Sequence, residues 1–281
     1  MLERWEEIRG LVSILLPFHN EGKYIKLAID SVLNQDYKNF ELICIDDSST
    51  DNSRLILEEY QKVENRIHIY QNPQQLGIAL SLNKGIHFAR GEFIARIDGD
   101  DIWMDQSKLL KQIEFLNKNK DHVVVGTSCR IIDRSNNVIG FLKQTQKNEE
   151  IERKIFFRNP FIHSTVCFRK SALREVGLYD PKVLHAEDYD LWLRMKKIGK
   201  FSNLEEYITD YRIHRNSISF INQKRQSLSV IYLQWKYRNR FPKFWLGIFI
   251  QILLLFFPTF LFLYLLEFKS GFNNEKNKTR K

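Results

Sequence analysis

Strand-like and helical patterns alternate through the first half of the 281-residue chain. Four apolar runs have the length and composition of buried strands: LVSILLP (11–17), FELICID (40–46), IHIYQN (67–72) and EFIARID (92–98). Apolar residues recur at helical spacing between these runs, over residues 21–33, 53–63 and 76–89. Nearly continuous apolar strands separated by helices are typical of a parallel sheet that is covered on both faces. The chain is therefore predicted to be an α/β protein with a mostly parallel sheet flanked by helices.

The second half of the body has a less regular pattern. A helix over 109–116 leads to the strand-like run HVVVGTSC (122–129), and Ser135-Asn136-Asn137 predicts the turn of a hairpin. Further on, the patterns predict a helix in EEIERKIFF, a strand in HSTVCFRK and a helix in DLWLRMKKIG that ends at Gly199. We expect one compact body over residues 1–220, with a nucleotide-binding half at about 10–126 and a second half at about 127–220.

Polar residues follow three of the predicted strands in the first half. In doubly wound sheets, ligands bind beyond the carboxyl ends of the strands. Groups that are far apart in the sequence are therefore expected to meet at one edge of the sheet. The three segments are Pro17-Phe18-His19-Asn20-Glu21, Asp46-Asp47-Ser48 and Asp98-Gly99-Asp100-Asp101.

Three carboxylates occupy four positions at the end of the run EFIARID. Like charges this close repel each other, and the repulsion raises the pKa of at least one acid unless a cation lies between them. Mg²⁺ and Mn²⁺ prefer carboxylate oxygen, so Asp98, Asp100 and Asp101 are candidate metal ligands. The alternative is a polar turn in which Asp105 caps the next helix. The spacing excludes an EF-hand loop, and the sequence has no P-loop motif.

Two further acidic groups allow a structural and a functional interpretation. Asp46 and Asp47 close an apolar strand, where acids commonly form turns and helix caps, but two acids exceed what one cap requires. Glu187, Asp188 and Asp190 open a predicted helix, where the helix dipole favours acids. The functional alternative for the second group is a general base that takes the proton of an acceptor hydroxyl.

The end of the chain differs from the rest in charge and hydropathy. Residues 221–281 hold 11 basic and two acidic residues, which accounts for the whole net charge of +9. Residues 245–266 contain no charged side chain over 22 positions, and about 20 apolar residues suffice to cross a bilayer. The predicted parts are a basic linker or helix (221–243), a membrane-associating hydrophobic segment (244–268) and a basic tail (269–281).

The apolar segment leaves its mode of membrane contact open. Pro258 allows a re-entrant pair of short helices, and a buried helical hairpin in a soluble oligomer is the structural alternative. The flanking basic residues would attract anionic lipids. Nucleic acid is not an expected partner, because no nucleic-acid-binding module accompanies the basic residues.

Other features suggest a cytosolic protein without structural metal or disulfide. The N-terminal sequence MLERWEEIRG contains no apolar run, so no signal peptide is predicted. Cys44, Cys129 and Cys167 lie in strand-like runs without CxxC spacing, which indicates reduced core residues. The histidines lack HxH and HExxH spacing, so a metal site made of histidines alone is not expected, and His163 and His214 are candidates for the lining of the cleft.

Many motifs of the chain, in this order, resemble those of the family 2 glycosyltransferases, which are inverting enzymes with the GT-A fold. The resemblance covers roughly residues 10–220 and is specific because so many spaced motifs agree. The matching segments are VSILLPFHNEGKYI, SVLNQDYKNFELICIDDSSTDNS, NPQQLGIALSLNKGI, ARGEFIARIDGDD, HSTVCFRK, HAEDYDLWLRM and YRIHRNSIS.

The resemblance implies a nucleotide pocket at the first two strand ends. Pro17, His19 and Glu21 would line this pocket, and Asp47 would hydrogen-bond the base. The chain departs from the family at two of these places. His19 stands where tyrosine is frequent, and Ser48 stands where glycine is common.

The resemblance also implies roles for the remaining acids. Asp98 and Asp100 match the DxD motif of the family, with Asp98 near the ribose and Asp100 on a metal ion that bridges the diphosphate. Asp101 would share in metal binding. Asp188 matches the catalytic base, and its neighbour Glu187 would contact substrate.

The reaction implied by the resemblance is transfer of one sugar from a nucleotide-diphosphate sugar, with Mn²⁺ or Mg²⁺ as cofactor. The transferred group would be a hexosyl or N-acetylhexosaminyl unit, and uridine is the favoured base, with guanosine and thymidine as alternatives. The expected acceptor is a glycan or lipid-linked saccharide of surface polysaccharide or lipopolysaccharide synthesis, at the cytoplasmic face of the cell membrane. Two rival functions remain: a nucleotidyltransferase, which leaves Asp188 without a role, and a non-catalytic membrane-associated scaffold.

Overall fold

The computed structural model describes residues 7–213, 222–240 and 244–256. The strands of these residues are Ile8–Phe18 (β1), Phe40–Asp46 (β2), Ile67–Gln71 (β3), Gly91–Arg96 (β4), His122–Ile132 (β5), Val138–Leu142 (β6), Cys167–Arg169 (β7) and Lys200–Arg212 (β8). The α-helices are Ile25–Leu33 (α1), Ser53–Val63 (α2), Ile78–Phe88 (α3), Lys108–Lys118 (α4), Asn148–Lys154 (α5), Ala172–Val176 (α6), Glu187–Met195 (α7), Gln223–Lys236 (α8) and Phe244–Phe256 (α9). All the strands and helices that were predicted before residue 126 are confirmed, with small shifts at their ends.

The strands form one mixed sheet in the order β3-β2-β1-β4-β7-β5-β6, with β8 paired to β5. The first four strands are parallel, and Leu15 of β1 lies between Ile43 of β2 and Arg96 of β4. The short strand β7 runs antiparallel to both β4 and β5. The prediction of a mostly parallel sheet therefore holds for the first half, whereas the second half is mixed. As a result, the carboxyl ends of β1, β2 and β4 meet at one edge.

Apolar side chains cover both faces of this sheet. Along β1, Ile14 and Leu16 belong to one core with α1, α2 and α4, while Leu15 belongs to the opposite core with α3, α5 and α7. Each aliphatic side chain that is fully buried in this way contributes about 1.5–3 kcal/mol. Successive side chains of a strand point to opposite faces, and both faces are covered by apolar residues. This explains why the strands appear in the sequence as continuous apolar runs.

The longest strand in the described residues, β8, is absent from the sequence-based prediction. Its inward positions include the buried polar residues Asn203, Thr209, Asp210 and Arg212, which break the apolar alternation. Register shifts along the β5–β8 pairing interrupt the period further. The segment HSTVCFRK also differs from the prediction, because a 3₁₀ turn over His163–Thr165 comes before β7.

The part predicted as a basic linker or helix (221–243) contains the packed helix α8. Leu233, Gln234 and Tyr237 of this region are buried against the body. In the described residues, no helix is both long and apolar enough to cross a membrane. Residues 257–268 of the predicted membrane-associating segment, the basic tail 269–281, His214 and the proposed boundary at 220 lie outside the described residues.

Candidate active site

Three carboxylates converge where β4 ends. One oxygen atom from each of Asp98, Asp100 and Asp101 can be chosen such that all lie within 4.8 Å of one another. The chain turns at this point, with the amide of Asp101 donating to the carbonyl of Asp98 at 3.2 Å. Gly99 permits Glu21 to approach the turn, because a Cβ at Gly99 would lie 3.0 Å from Cγ of Glu21. The predicted acidic cluster is thus present as a compact group.

Two arginines that the sequence analysis did not single out lie beside this cluster. The buried side chain of Arg96, the last residue of β4, forms an ion pair with the partly exposed Asp98. Arg212, at the end of β8, donates from its backbone amide to Oδ1 of Asp101 at 2.8 Å and from Nε to the carbonyl of Asp100 at 2.7 Å. The signal for Arg96 was present, because a charge inside the apolar run EFIARID needs a buried partner.

The cluster still has capacity for a cation. Oδ2 of Asp101 is buried and has no hydrogen-bond partner. Burial and the charges of Asp100 and Asp98 raise the pKa of Asp101 well above its usual range. Burial also raises the pKa of Asp98, although Arg96 opposes this. Three carboxylates with one unpaired oxygen match the donor set that Mg²⁺ or Mn²⁺ prefers, so these residues fit a divalent metal ion.

The loop after β1 is tied to the loop after β2. Nδ1 of His19 donates to the carbonyl of Asp47 at 2.9 Å, and the side-chain oxygen of Asn20 accepts from the amide of Thr50 at 2.8 Å. Pro17 is buried in β1 opposite Ile45. The two predicted nucleotide-binding segments therefore form one wall.

Glu21 lies between this wall and the DGDD turn. Burial, followed by the charges of Asp100 and Asp98, raises the pKa of Glu21 to about 8. Arg212 acts in the opposite direction. The structure thus places Glu21 within the field of the candidate metal ligands.

Asp47 has a structural role that the sequence did not reveal. Its Oδ1 accepts from Nδ2 of Asn72 at 2.7 Å and from the amide of Leu76 at 2.8 Å, while Oδ2 accepts from the amide of Gly77 at 2.9 Å. A carboxylate offers about four acceptor positions, so three of them are used here. Contact between Asp47 and a base stays a prediction. The next residue, Ser48, has φ of 64°, a left-handed conformation that glycine adopts at the lowest cost.

The Glu187–Asp188 pair lies at the start of α7. Asp188 accepts from Nδ2 of Asn159 at 2.6 Å and from the amide of Tyr189 at 2.7 Å, so both of its oxygens are oriented. Burial raises the pKa of Asp188, while the Asn159 hydrogen bond and Arg96 counteract it. Glu187 is buried with Oε2 unpartnered, and burial together with Asp188 raises its pKa. Asn159 was missed because it lies in an irregular segment, 29 residues before Asp188.

Arg96 is the cation that both acidic groups share. Its positive charge opposes the rise in the pKa of Asp98 on one side and of Glu187 and Asp188 on the other. Its Nε is buried and has no hydrogen-bond partner. The DGDD turn and the Glu-Asp pair therefore lie within electrostatic reach of the same buried guanidinium.

His163 and Tyr179 border the same site. Nε2 of His163 lies 2.9 Å from the hydroxyl of Tyr179. Burial, reinforced by the charge of Arg96, lowers the pKa of His163 well below its usual value. The histidine is therefore neutral near pH 7, and it shares one hydrogen bond with the Tyr179 hydroxyl.

Asp190 does not join the candidate site. It is fully buried and accepts hydrogen bonds from Nε of Arg194 at 2.8 Å, Nζ of Lys236 at 3.1 Å and the hydroxyl of Tyr237 at 2.9 Å. Asp190 thus fixes α8 and the residue that follows it to α7. From the sequence, an acid in the first helical turn was expected to interact with the helix dipole. Asp190 instead links α7 to α8, and we call this contact the clamp.

Comparison with known proteins gives a consistent result. Residues 13–177 match the family model described as glycosyl transferase family 2. An uncharacterized glycosyltransferase of Methanocaldococcus jannaschii, MJ1057, is 30% identical, with 93% of this chain and 94% of that protein covered. The Escherichia coli enzyme named UDP-Glc:alpha-D-GlcNAc-diphosphoundecaprenol beta-1,3-glucosyltransferase WfgD is 35% identical, with 77% of this chain and 83% of that protein covered.

A solved structure shares the fold. The mannosyltransferase PcManGT from Pyrobaculum calidifontis, in complex with GDP-Man and Mn²⁺, superposes with a TM-score of 0.64 at 15% identity. The match covers 81% of this chain and 64% of that structure. At this identity the likeness concerns the fold alone, and it agrees with the mixed α/β sheet described above.

Proposed function

The chain belongs to glycosyl transferase family 2 and is a glycosyltransferase, and from this premise we propose that it transfers a single sugar with inversion from a nucleotide-diphosphate sugar, with a divalent cation as cofactor. One observation carries the proposal: two acidic groups flank Arg96, and they differ in chemistry. The DGDD turn has converging oxygens that suit a cation. Asp188 is instead a single oriented carboxylate that suits proton removal.

The donor nucleotide is assigned to the wall formed by the loops after β1 and β2. Pro17, His19 and Glu21 would line its pocket, and Asp47 would use its remaining acceptor position for the base. The hydrogen bond between His19 and the Asp47 carbonyl supports this, since it fixes the two segments relative to each other.

The diphosphate is assigned to the DGDD turn. Asp98, Asp100 and Asp101 would hold Mn²⁺ or Mg²⁺, with Asp98 also near the ribose. When bound, the cation would neutralise the charge of the departing nucleoside diphosphate. Asp101 contributes the buried oxygen that has no other partner.

Asp188 would take the proton of the acceptor hydroxyl. Asn159 and the amide of Tyr189 hold its two oxygens, so no rotation of the carboxylate is needed. Burial raises its pKa toward the range in which a carboxylate is a more effective base. Glu187 would contact the substrate beside it. Because Asp188 acts on the acceptor side and the DGDD turn on the diphosphate side, the displacement inverts the anomeric carbon.

The acceptor and the location follow from relatives with named substrates. WfgD is named for a UDP-glucose donor and a diphosphoundecaprenol-linked acceptor. We therefore assign a UDP-hexose or UDP-N-acetylhexosamine donor and a lipid-linked saccharide acceptor, used at the cytoplasmic face of the cell membrane in surface polysaccharide synthesis. Residues 1–220 would form the transfer domain, with the donor half at 10–126 and the acceptor half at 127–220.

The stereochemistry of the product tests the proposal. The full chain is incubated with Mn²⁺, α-linked UDP-sugars and a lipid-linked saccharide, and the anomeric configuration of the product is read by proton NMR. We expect a β-linked product and no turnover after chelation of the metal. An α-linked product would contradict the single displacement, and full activity in chelator would contradict the metal requirement.

A further inference from the structure

Helices α8 and α9 carry an exposed apolar surface that the transfer reaction does not use. Among the described residues, 20 large apolar side chains are exposed, and eight of them lie on these two short helices. Contiguous exposed apolar surface on a soluble protein marks an interaction site. We call this surface the α8–α9 face; it consists of Leu228, Tyr232, Trp235, Trp245, Leu246, Phe249, Ile250 and Ile252.

The two helices sort their side chains into an inner and an outer face. On α8, Leu228, Tyr232 and Trp235 follow helical spacing and point outward, while Leu233 and Gln234 are buried. Gln234 donates from Nε2 to the carbonyl of Phe156 at 2.9 Å, which anchors the inner side to the body.

Helix α9 packs on α8 through its own inner side. A Cβ at Gly247 would lie 2.8 Å from Nε2 of Gln234, so glycine allows the close approach of the two helices. The outward positions of α9 include Trp245 and Phe249, which are 64% and 57% exposed. The exposed face is therefore a consequence of how both helices dock, and not of a loose chain end.

Aromatic rings join the outward sides of the two helices into one surface. The ring centroids of Trp235 and Trp245 lie 6.2 Å apart, and those of Phe244 and Trp245 lie 4.4 Å apart. The guanidinium of Arg238 lies 4.6 Å from the centre of the Trp235 ring. Tryptophan and arginine together are typical of the interface between a bilayer and water, where the ring is partly buried and the charge stays hydrated.

The charged residues of these two helices are basic. Residues 222–240 and 244–256 contain five basic residues and no acidic one. Lys224, Arg225 and Lys236 of α8 are exposed. A basic and aromatic surface complements the headgroups of anionic lipids.

The face is rigidly connected to the helix that carries Asp188. Asp190, two residues further along α7, holds Lys236 and Tyr237 at 3.1 and 2.9 Å. At the other end of α8, Arg225 acts electrostatically on His185, which lies in the loop that leads into α7. A partner that binds the α8–α9 face therefore meets the Glu187–Asp188 pair at a fixed orientation relative to itself.

We propose that the α8–α9 face docks on the surface of an anionic bilayer and orients Asp188 toward acceptors presented by that bilayer. The orientation part rests on the proposed function, whereas the docking part stands on the face alone. Docking here means insertion of side chains at the headgroup level, with the helices lying along the surface. Lipid-linked acceptors diffuse in the bilayer, so a docked enzyme meets them at a fixed height and angle.

Vesicle flotation with the full chain tests the docking. The probes are mixed vesicles of phosphatidylcholine and phosphatidylglycerol, and vesicles of phosphatidylcholine alone. The test variant combines Trp245→Glu with Phe249→Glu, and the control combines Leu55→Glu with Val63→Glu on α2, whose side chains are 64% and 85% exposed. We expect the wild type to bind the mixed vesicles and the test variant to bind at least about tenfold more weakly. The control is expected to match the wild type.

Three results would overturn the docking. The first is that the wild type does not bind mixed vesicles, and the second is that the test variant binds them as strongly as the wild type. The third is that the wild type and the control are dimers, whereas the test variant is a monomer. The last result would assign the face to a second copy of the chain.

A measurement on the wild type avoids dependence on the folding of the test variant. Brominated lipids quench tryptophan fluorescence at short range, so docking predicts quenching in mixed vesicles. Trp5 lies outside the described residues and is replaced by phenylalanine throughout. Replacing Trp235 and Trp245 by phenylalanine should then remove this quenching, because the remaining Trp103 and Trp192 are buried in the body. Absence of quenching, or quenching that persists in the double variant, would contradict the proposal.

Transfer assays separate the docking from the proposed function. With a water-soluble acceptor, the wild type and the Trp245→Glu, Phe249→Glu variant should have the same rate. With the lipid-linked acceptor in mixed vesicles, the variant should be at least about tenfold slower. If the wild type is inactive on every acceptor while vesicle binding is intact, the proposed function fails and the docking stands. Equal rates in vesicles would overturn the orientation part.

Discussion

The DGDD turn and the start of α7 carry the same residue types at similar spacing, and the structure uses them differently. At the turn, the oxygens of Asp98, Asp100 and Asp101 converge to within 4.8 Å. On α7, Asp188 and Asp190 point to different partners, Asn159 for the first and Lys236 for the second. The backbone explains the difference, because neighbours at i and i+2 on a helix do not face each other.

The buried residues that pack behind the two acidic groups also differ. The clamp under α7 is an anion, Asp190, which is paired with two cations, Arg194 and Lys236. The support behind the DGDD turn contains a lysine, Lys108, which is fully buried and donates to the neutral side chain of Gln112 at 2.8 Å. The DGDD turn thus keeps one buried oxygen, Oδ2 of Asp101, without a hydrogen-bond partner. Asp190 instead has a fixed cation at each of its two oxygens.

The support behind the DGDD turn reaches Asp98 through a chain of contacts. Nζ of Lys108 lies 3.8 Å from the centre of the Trp103 ring, and Nε1 of Trp103 donates to the carbonyl of Ser164 at 2.9 Å. The hydroxyl of Ser164 donates to Oδ2 of Asp98 at 3.0 Å. Lys108, Trp103 and Ser164 are buried, and their contacts hold Asp98 in place.

The largest expected effect is on turnover. Asp188→Asn removes the proposed base but keeps its shape, so transfer should fall by about 10³-fold while nucleotide binding is unchanged. Steady-state kinetics and donor binding measure the two quantities. Asp121→Asn, on the exposed surface, is the matched control and should keep full activity. If Asp188→Asn loses nucleotide binding as strongly as turnover, Asp188 contributes to nucleotide binding as the DGDD turn does, and the proposed difference between the two acidic groups is wrong.

Arg96 tests whether the two groups form one site. Arg96→Met removes the cation that Asp98, Glu187 and Asp188 share, and should lower kcat by about 10- to 100-fold. Arg96→Lys should restore part of the rate. Arg169→Met serves as the control, since Arg169 donates to backbone carbonyls away from these acids. Wild-type kcat in Arg96→Met would show that the groups act independently.

The clamp predicts a loss of stability. Asp190→Asn removes the fully buried anion that pairs with Arg194 and Lys236, which costs about 3 kcal/mol in the free energy of unfolding. Urea denaturation followed by circular dichroism measures this. Asp180→Asn is the control, because Asp180 is partly exposed and lies 3.8 Å from Lys236. If both variants lose the same small amount, Asp190 has no special role.

Lys108 predicts a pH-dependent stability. Burial lowers the pKa of Lys108 to about 7, against 10.5 in an exposed lysine. Between these values the unfolded chain binds one more proton than the folded chain, so stability rises with pH above 7. Lys108→Met removes this rise and should reduce the change between pH 7 and 9 by about 2 kcal/mol.

Urea denaturation at both pH values measures the Lys108 effect, and Lys62→Met on the exposed side of α2 is the control. A wild-type pH profile that Lys108→Met leaves unchanged would show that the lysine is charged in the fold.

The sequence was sufficient for the parts of the fold that depend on period and length. The strand ends that place Asp47 and Asp98 at the same edge of the sheet were predictable, because continuous apolar runs of strand length were interrupted at regular distances by helical patterns. The acidic candidates were visible for the same reason, since each acid follows a predicted strand or opens a predicted helix.

The partners of those acids were not predictable from local pattern. Arg212 reaches Asp101 across 111 residues, from a strand whose buried polar positions hid its period. Asn159 lies in an irregular segment that no pattern distinguishes. Asp190 looked like its neighbours, and only the packing of α8 shows that it is a clamp. Contacts between distant segments decide the role of an acid, and a single sequence does not contain them.

One measurement tests the central claim most directly, namely that the DGDD turn binds the metal and the nucleotide while Asp188 acts only on the acceptor. UDP is titrated calorimetrically into the full-length wild type, Asp100→Ala and Asp188→Asn, each with and without Mn²⁺; GDP and dTDP are run in parallel to identify the base. We predict metal-dependent binding of one nucleotide to the wild type, equal affinity in Asp188→Asn, and at least tenfold weaker binding in Asp100→Ala. Binding that ignores Mn²⁺, or that is lost in Asp188→Asn and kept in Asp100→Ala, would contradict the account.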